Sequence, residues 1–206
     1  MLEDKISKFK ASLLEHTELR AQVNTRRNVT LLNGNLVSNL RSDESGVSAR
    51  VYKGGVYGFA SSAEYTDEQI KAVLAAAKEN AEFMDTRIRK NKPALPSLGT
   101  GKKELLHNVR DVEQKVFIDF AKEIDAYISR KYPNLASRTI SARSDSMEKL
   151  LVVSDGCDSH SIIPRCYIYI FLTANTNDGT TVELFKPLGG FGYFDELFTN
   201  PDALHD

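Results

Sequence analysis

An Asn-Gly pair at residues 33–34 stands between two strand-like runs, and it limits the folds open to this chain more than any other feature. Asn and Gly reach positive φ at little cost, which is what the turn of a two-residue hairpin demands. Before the pair, Val23, Thr25, Arg27, Val29 and Leu31 alternate with polar residues and predict a long strand. After it, Leu36 to Leu40 predicts the returning strand. The next stretch, SGVSARVYKGGVYGFAS over Ser45–Ser61, predicts a second hairpin turning at Lys53-Gly54 or Gly54-Gly55.

Helical signals bracket these hairpins. Ile6, Phe9, Leu13 and Leu14 have helical spacing and predict a first amphipathic helix over 2–18. Thr66-Asp67-Glu68-Gln69 is a capping-box sequence, and Ile70, Val73, Leu74, Ala77, Ala81 and Met84 then mark one apolar face. The segment KNKPALPSLGTGKK, over 90–103, carries two prolines, two glycines and four lysines and predicts a linker or long loop. A further helix begins near Asp111, with Phe117, Phe120, Ala121, Ile124 and Ile128 on one face. It must stop by Tyr132, because the residue before Pro133 is pushed out of helical conformation. Strands are predicted from Ala136 to Ser154, from Ile162 to Thr173 and from Thr180 to Phe185, with turns at Asp155-Gly156 and Asn177-Asp178-Gly179.

The order α-ββββ-α-α-βββ clusters strands in hairpins and does not alternate them with helices. It predicts an α+β fold, mainly antiparallel, with amphipathic helices on one face. The expected organisation is an α-ββββ-α unit at 1–90, a linker at 91–110 and an α-βββ unit at 111–206, packed together as one domain. A chain of 206 residues with 41 % hydrophobic residues can bury a core of that size. Its net charge of −1 argues against a nucleic-acid partner. No apolar run reaches the ~20 residues of a membrane helix, and two cysteines do not make a disulfide framework, so a cytoplasmic location is expected.

The side chains that carry chemistry are sparse. His16, His107, His160 and His205 include no HExxH pair. Cys157, His160 and Cys166 form a C-x2-H-x5-C cluster without a nearby fourth ligand, so they read as surface turn residues and no metal site is assigned. Ser159-His160 lacks a Gly-x-Ser-x-Gly elbow, and Asp195-Glu196 reads as a cap for Tyr193 to Phe198. Gly189-Gly190-Phe191-Gly192 is a weak phosphate-loop signal that fits neither G-x-G-x-x-G nor the P-loop. No catalytic residue is assigned.

The 45–61 hairpin is more informative when its faces are separated. Pairing about either turn puts Val47, Ala49, Val51, Val56, Gly58 and Ala60 on one small apolar face, suited to the Ala-rich helix that follows. Ser48, Arg50, Tyr52, Tyr57, Phe59 and Ser61 fall on the other. An Arg among cross-strand aromatics makes either a recognition surface or a half-exposed sheet face covered by long stems. Arg50, Tyr52, Tyr57 and Phe59 are therefore the candidate peptide- or partner-binding residues.

Gly46-Val47-x-x-Arg50-Val51 followed by Gly55-x-x-Gly58-Phe59-Ala60-Ser61 and a capped Ala-rich helix resembles the N-terminal region of the TldD/PmbA family. The resemblance extends to the strand at 20–32 and to Val152-Val153-Ser154-Asp155-Gly156, and so to nearly the whole chain. It implies a part of a zinc metalloprotease system also described as modulators of DNA gyrase. Members are about twice this length, and the zinc-binding His-Glu motif lies in a C-terminal domain that these residues do not match. By resemblance, zinc belongs to that domain, this chain holds no cofactor and is inactive alone, and it helps form a peptide-binding cleft and a subunit contact. The partners so implied are a peptide substrate and a subunit of the same family, in a homo- or hetero-oligomer such as a dimer. The alternative reading is a stand-alone protein- or ligand-binding regulatory module. An independent hydrolase using Ser159 and His160 ranks below both.

Overall fold

The computed structural model describes residues 2–13, 15–88 and 99–204. In chain order the elements are α1 (Leu2–Ile6), β1 (His16–Leu32), β2 (Asn35–Lys53), β3 (Val56–Ser62), α2 (Asp67–Arg87), β4 (Gly101–Leu106), α3 (Gln114–Lys131), β5 (Ser137–Val153), β6 (Cys157–Asn175), β7 (Thr181–Phe191) and α4 (Phe194–Leu197). A 3₁₀ turn, Ser7–Ser12, follows α1. The hydrogen-bonded strand order is β3-β2-β1-β5-β6-β4, with β7 also paired to β6. The fold is α+β, and both the β2–β3 and β6–β7 pairs are antiparallel.

Several boundaries differ from the sequence expectation. The first helix does not run to residue 18: it gives way to the 3₁₀ turn, and Glu15 at φ 60° starts the chain into β1. Leu14, counted in that helix, lies outside the described residues. Three strands, not four, precede α2, because the returning strand of the first hairpin and the entering strand of the second are one 19-residue strand, β2. The expected linker at 91–110 contains β4, which pairs parallel with β6, Gly101 opposite Cys157 and Leu106 opposite Ile162. Residues 91–98 of that linker, and His205, lie outside the described residues.

Contacts divide the chain into two compact units, each built from three segments of the sequence. One holds Met1–Asn24, Glu44–His107 and Met147–Ile162; the other holds Thr25–Asp43, Asn108–Ser146 and Ile163–Asp206. Long strands make this possible, since β1, β2, β5 and β6 each contribute to both.

The first unit buries Leu19 and Ala21 of β1, Val47, Ala49 and Val51 of β2, and Leu150 and Val152 of β5 beneath Ile70, Val73, Ala77 and Ala81 of α2. The alternation along each strand fixes which face this is. Helix α2 begins at Thr66, whose side chain accepts from the Gln69 backbone N–H at 3.3 Å. Only half of the capping box forms, because the Gln69 amide oxygen instead accepts from the Ser62 hydroxyl at 3.3 Å.

The second unit packs Phe117, Phe120, Ala121, Ile124 and Ile128 of α3 on Val29, Leu31, Ile140, Ala142, Cys166, Ile168 and Ile170. Phe194 closes this core, with ring centroids 4.2 Å from Phe117 and 5.5 Å from Phe120. The Asn33-Gly34 turn forms as expected, with φ 49° and 82°. It is docked by the Arg138 backbone N–H, which donates to Asn33 Oδ1 at 2.9 Å. Beside it, Arg138 Nε donates to the buried Asp125 carboxylate at 2.8 Å.

Candidate functional site

The β2–β3 hairpin turns at Gly54-Gly55, where φ values of 57° and 97° favour glycine. Its register pairs Val51 with Gly58, Arg50 with Phe59 and Tyr52 with Tyr57. The two faces then separate as the alternation predicts. Val47, Ala49, Val51 and Val56 are buried, whereas Arg50, Tyr57 and Phe59 are exposed and Tyr52 is half-buried. Gly58 permits this arrangement: a Cβ there would lie 2.0 Å from the Ala77 carbonyl oxygen and 2.2 Å from the Ala81 nitrogen of α2. With the helix seated so closely on one side, the Arg and aromatic side chains project from the other.

On that face Arg50 is held in place. Its guanidinium donates to Glu18 Oε1 at 2.5 Å and lies over the Tyr57 ring at 4.7 Å. The Glu18 hydrogen bond is the main cause that raises the Arg50 pKa, so the side chain stays a fixed cation. Burial pushes the Tyr57 phenol upward, which keeps it neutral and able to donate. Tyr52 and Tyr57 meet edge to face at 5.1 Å, and His16 stands edge-on to Tyr52 at 6.4 Å. The His16 Nδ1 lies 3.1 Å from Asp155 Oδ1. Phe59 carries no such partner ring in this cluster and is 58 % exposed.

A polar cleft of about 310 Å³ lies on the same unit, lined by Arg20, Gln22, Ser48, Ser61 and Ser62 among others. Ser48 and Ser61 are register partners two residues beyond the Arg50–Phe59 pair, so they share its face. The side-chain surface therefore runs from an aromatic end with a fixed cation to a hydroxyl-lined end. The outer edge of β3 is partly covered, since Asn80 Nδ2 donates to the Phe59 carbonyl at 2.9 Å. Recognition through side chains fits this edge better than addition of a full strand.

The structure thus brings Arg50, Tyr52, Tyr57 and Phe59 together on one face. Beside them, on and next to the neighbouring strand β1, lie His16, Glu18 and Asp155, which the sequence reading missed. Their signal was present: the alternation of β1 continues back to His16 and gives His16, Glu18 and Arg20 one parity.

The other sequence motifs resolve differently. Cys157, His160 and Cys166 are not surface turn residues: all three lie on β6, with His160 and Cys166 buried. Cys157 and His160 are three residues apart on a strand and point to opposite faces, and Cys166 belongs to the core of the other unit. Burial pushes the Cys166 thiol up to about 12, so it is no nucleophile at neutral pH. Gly189 and Gly190 lie in β7, where a Cβ would meet the Tyr167 ring at 2.4 Å and Leu197 at 2.5 Å; close packing accounts for both. Glu196 does cap α4, accepting from the Tyr193 N–H at 2.8 Å, whereas Asp195 binds Arg110.

Residues 17–81 match the family model for PmbA/TldA metallopeptidase domain 1, and residues 107–203 match that for the PmbA/TldA metallopeptidase central domain. The chain belongs to the PmbA/TldD metallopeptidase family. Its fold resembles a proposed modulator of a DNA gyrase from Thermotoga maritima, at TM-score 0.70 and 14 % identity, covering 99 % of this chain and 45 % of that one. A proposed modulator of DNA gyrase from Bacteroides thetaiotaomicron gives 0.68 and 12 %, covering 91 % and 43 %. TldE from Thermococcus kodakarensis gives 0.66 and 11 %, covering 92 % and 43 %. The chain therefore spans less than half the length of these structures. No curated protein matches the sequence. Among the described residues no helix is long and apolar enough to cross a membrane.

Proposed function

We propose that this chain supplies the N-terminal and central part of a PmbA/TldD-type peptidase, helping to form its peptide-binding cleft and subunit contact. Zinc-dependent proteolysis belongs, on this reading, to a C-terminal domain of the family. The observation that carries the reading is the hairpin face: Arg50, Tyr57 and Phe59 remain exposed although α2 covers the opposite side of the same strands. Exposed aromatics around a preorganised Arg are the residue types that dominate binding energy at interfaces. Glu18 fixes Arg50 before any ligand arrives, so little side-chain entropy is lost on binding. A backbone carbonyl or carboxylate of an extended peptide would meet Arg50, and its apolar side chains would meet Tyr57 and Phe59. The serine-lined cleft beside them offers further hydrogen bonds to main-chain groups.

The test is kinetic, made on the assembled peptidase that contains these residues. Phe59→Ala and Arg50→Ala should each lower kcat/KM for a peptide by about tenfold or more, a loss of ~1.4 kcal/mol. Thermal stability should change little in Phe59→Ala, whose side chain is exposed, whereas Arg50→Ala also strips the buried Glu18 carboxylate of its donor and should lower it, so its kinetics are read at a temperature where the variant stays folded. Activity and assembly within twofold of wild type in both variants would reject the role of this face.

A further inference from the structure

His160 was set aside as a turn residue in the sequence, yet it is buried in the first unit, its side chain only 1 % exposed. Its Nε2 lies 2.9 Å from Glu148 Oε1. With Nε2–H donated to that carboxylate, Nδ1 is left as a lone pair. Nδ1 is buried and has no hydrogen-bond partner among the described residues. It faces Glu3 Oε2 at 3.6 Å. A buried ring nitrogen turned toward a carboxylate is an arrangement that a bound cation satisfies at both atoms.

The backbone brings a second carboxylate to the same place. Parallel pairing of β4 with β6 puts Glu104 directly opposite His160, and α1 delivers Glu3 from the N-terminus. One ligand atom from each of Glu3, Glu104 and His160 lies within 4.8 Å of the others. A cation already sits there: Lys102 Nζ lies 2.6 Å from Glu3 Oε1 and 2.6 Å from Glu104 Oε1. Lys102 is half-exposed and has open solvent to swing into, whereas His160 is locked by Glu148.

We propose that Glu3, Glu104 and His160 form a divalent-cation site, with Glu148 as the carboxylate that orients the imidazole and Lys102 as the ammonium that occupies the site when metal is absent. This replaces the expectation that the chain holds no metal, and it does not depend on the role of the hairpin face. One imidazole nitrogen and two carboxylates suit a borderline ion such as Zn²⁺, Co²⁺ or Mn²⁺, with a coordination position left for water. The Glu148–His160–metal arrangement is the usual way a ligating imidazole is held and made more basic. Bringing all three ligands to about 2.0–2.2 Å from one ion requires rotation of the two carboxylates, which lie at or near the surface. Binding exchanges the Lys102 ammonium for the metal between the same oxygens, so charge at the site stays compensated throughout.

The test is titration of the purified full chain with Zn²⁺ by calorimetry and with Co²⁺ by visible absorption. One equivalent should bind, with a Co²⁺ spectrum of nitrogen and oxygen ligation free of thiolate charge transfer. Glu104→Gln should weaken binding by at least about tenfold while leaving metal-free thermal unfolding unchanged. Lys102→Met should tighten it, because the competing ammonium is gone. Failure of the wild-type chain to bind one equivalent overturns the proposal whatever Lys102→Met does. Binding that Glu104→Gln leaves unchanged, or that shows thiolate bands, also overturns it by placing the ion elsewhere.

Discussion

Arg27 and Arg50 show how single charged residues are made rigid here. Arg50 is clamped at the surface by Glu18 and stacked on Tyr57. Arg27 has a buried side chain and donates to Gln114 Oε1 at 2.8 Å and to the Asp111 carboxylate. The Arg27 hydrogen bond is the chief cause that holds Asp111 below the usual carboxylate range, with Arg41 adding to it against the opposing effect of burial. A carboxylate with a lowered folded-state pKa stabilises the fold fully above its unfolded value of about 4 and loses that contribution as pH falls through the folded value. The expected consequence lies below about pH 4. Asp111→Asn should be less stable than wild type at neutral pH, and the gap in melting temperature should shrink as pH drops toward 2. A gap that stays constant over pH 2–5 would show that Asp111 is not the titrating group. The effect should be modest, because Asp111 is 60 % exposed and water screens it.

Among elements, the hairpin and the helix on its back act together. Gly58 lets the Ala-rich face of α2 sit almost on the backbone of β3, and a methyl group there must push against the Ala77 carbonyl and the Ala81 nitrogen. Gly58→Ala should therefore cost about 1–3 kcal/mol in denaturant unfolding, a typical penalty for overpacking. A neutral result would mean that α2 rides on the strands more loosely than these distances state. Elements with strong local patterns were legible in the sequence. The Asn33-Gly34 turn, the apolar faces of α2 and α3 and the two faces of the β2–β3 hairpin all follow from nearest-neighbour chemistry. What was hidden depends on distant partners. Glu104 becomes part of a strand only because β6, more than fifty residues later, offers a parallel edge, and parallel pairing leaves no turn signal between its strands. Ile6, Phe9 and Leu13 have helical spacing, yet a short helix with a 3₁₀ turn buries Ile6 and Phe9 equally well. That misreading hid His16 and Glu18, and with them the polar groups beside Arg50.

At the scale of the whole molecule, each unit has its own apolar core, and the long strands β1, β2, β5 and β6 contribute residues to both. A fold kept at 11–14 % identity to TldE and the two proposed gyrase modulators rests on hydrophobic alternation and turn residues more than on particular side chains. Side chains left uncovered by that framework are then the natural place to look for function, and in the first unit Arg50, Tyr57 and Phe59, with the half-buried Tyr52, form one such group. The most direct measurement of the proposed role replaces Phe59 with a photoreactive benzoyl-phenylalanine in the proposed peptidase assembly and identifies what it captures on irradiation. Cross-links to a bound peptide or to a second subunit are expected. Cross-links confined to the elements of its own N-terminal and central part, or none in an assembly that still turns over peptide, would contradict a recognition role for the hairpin.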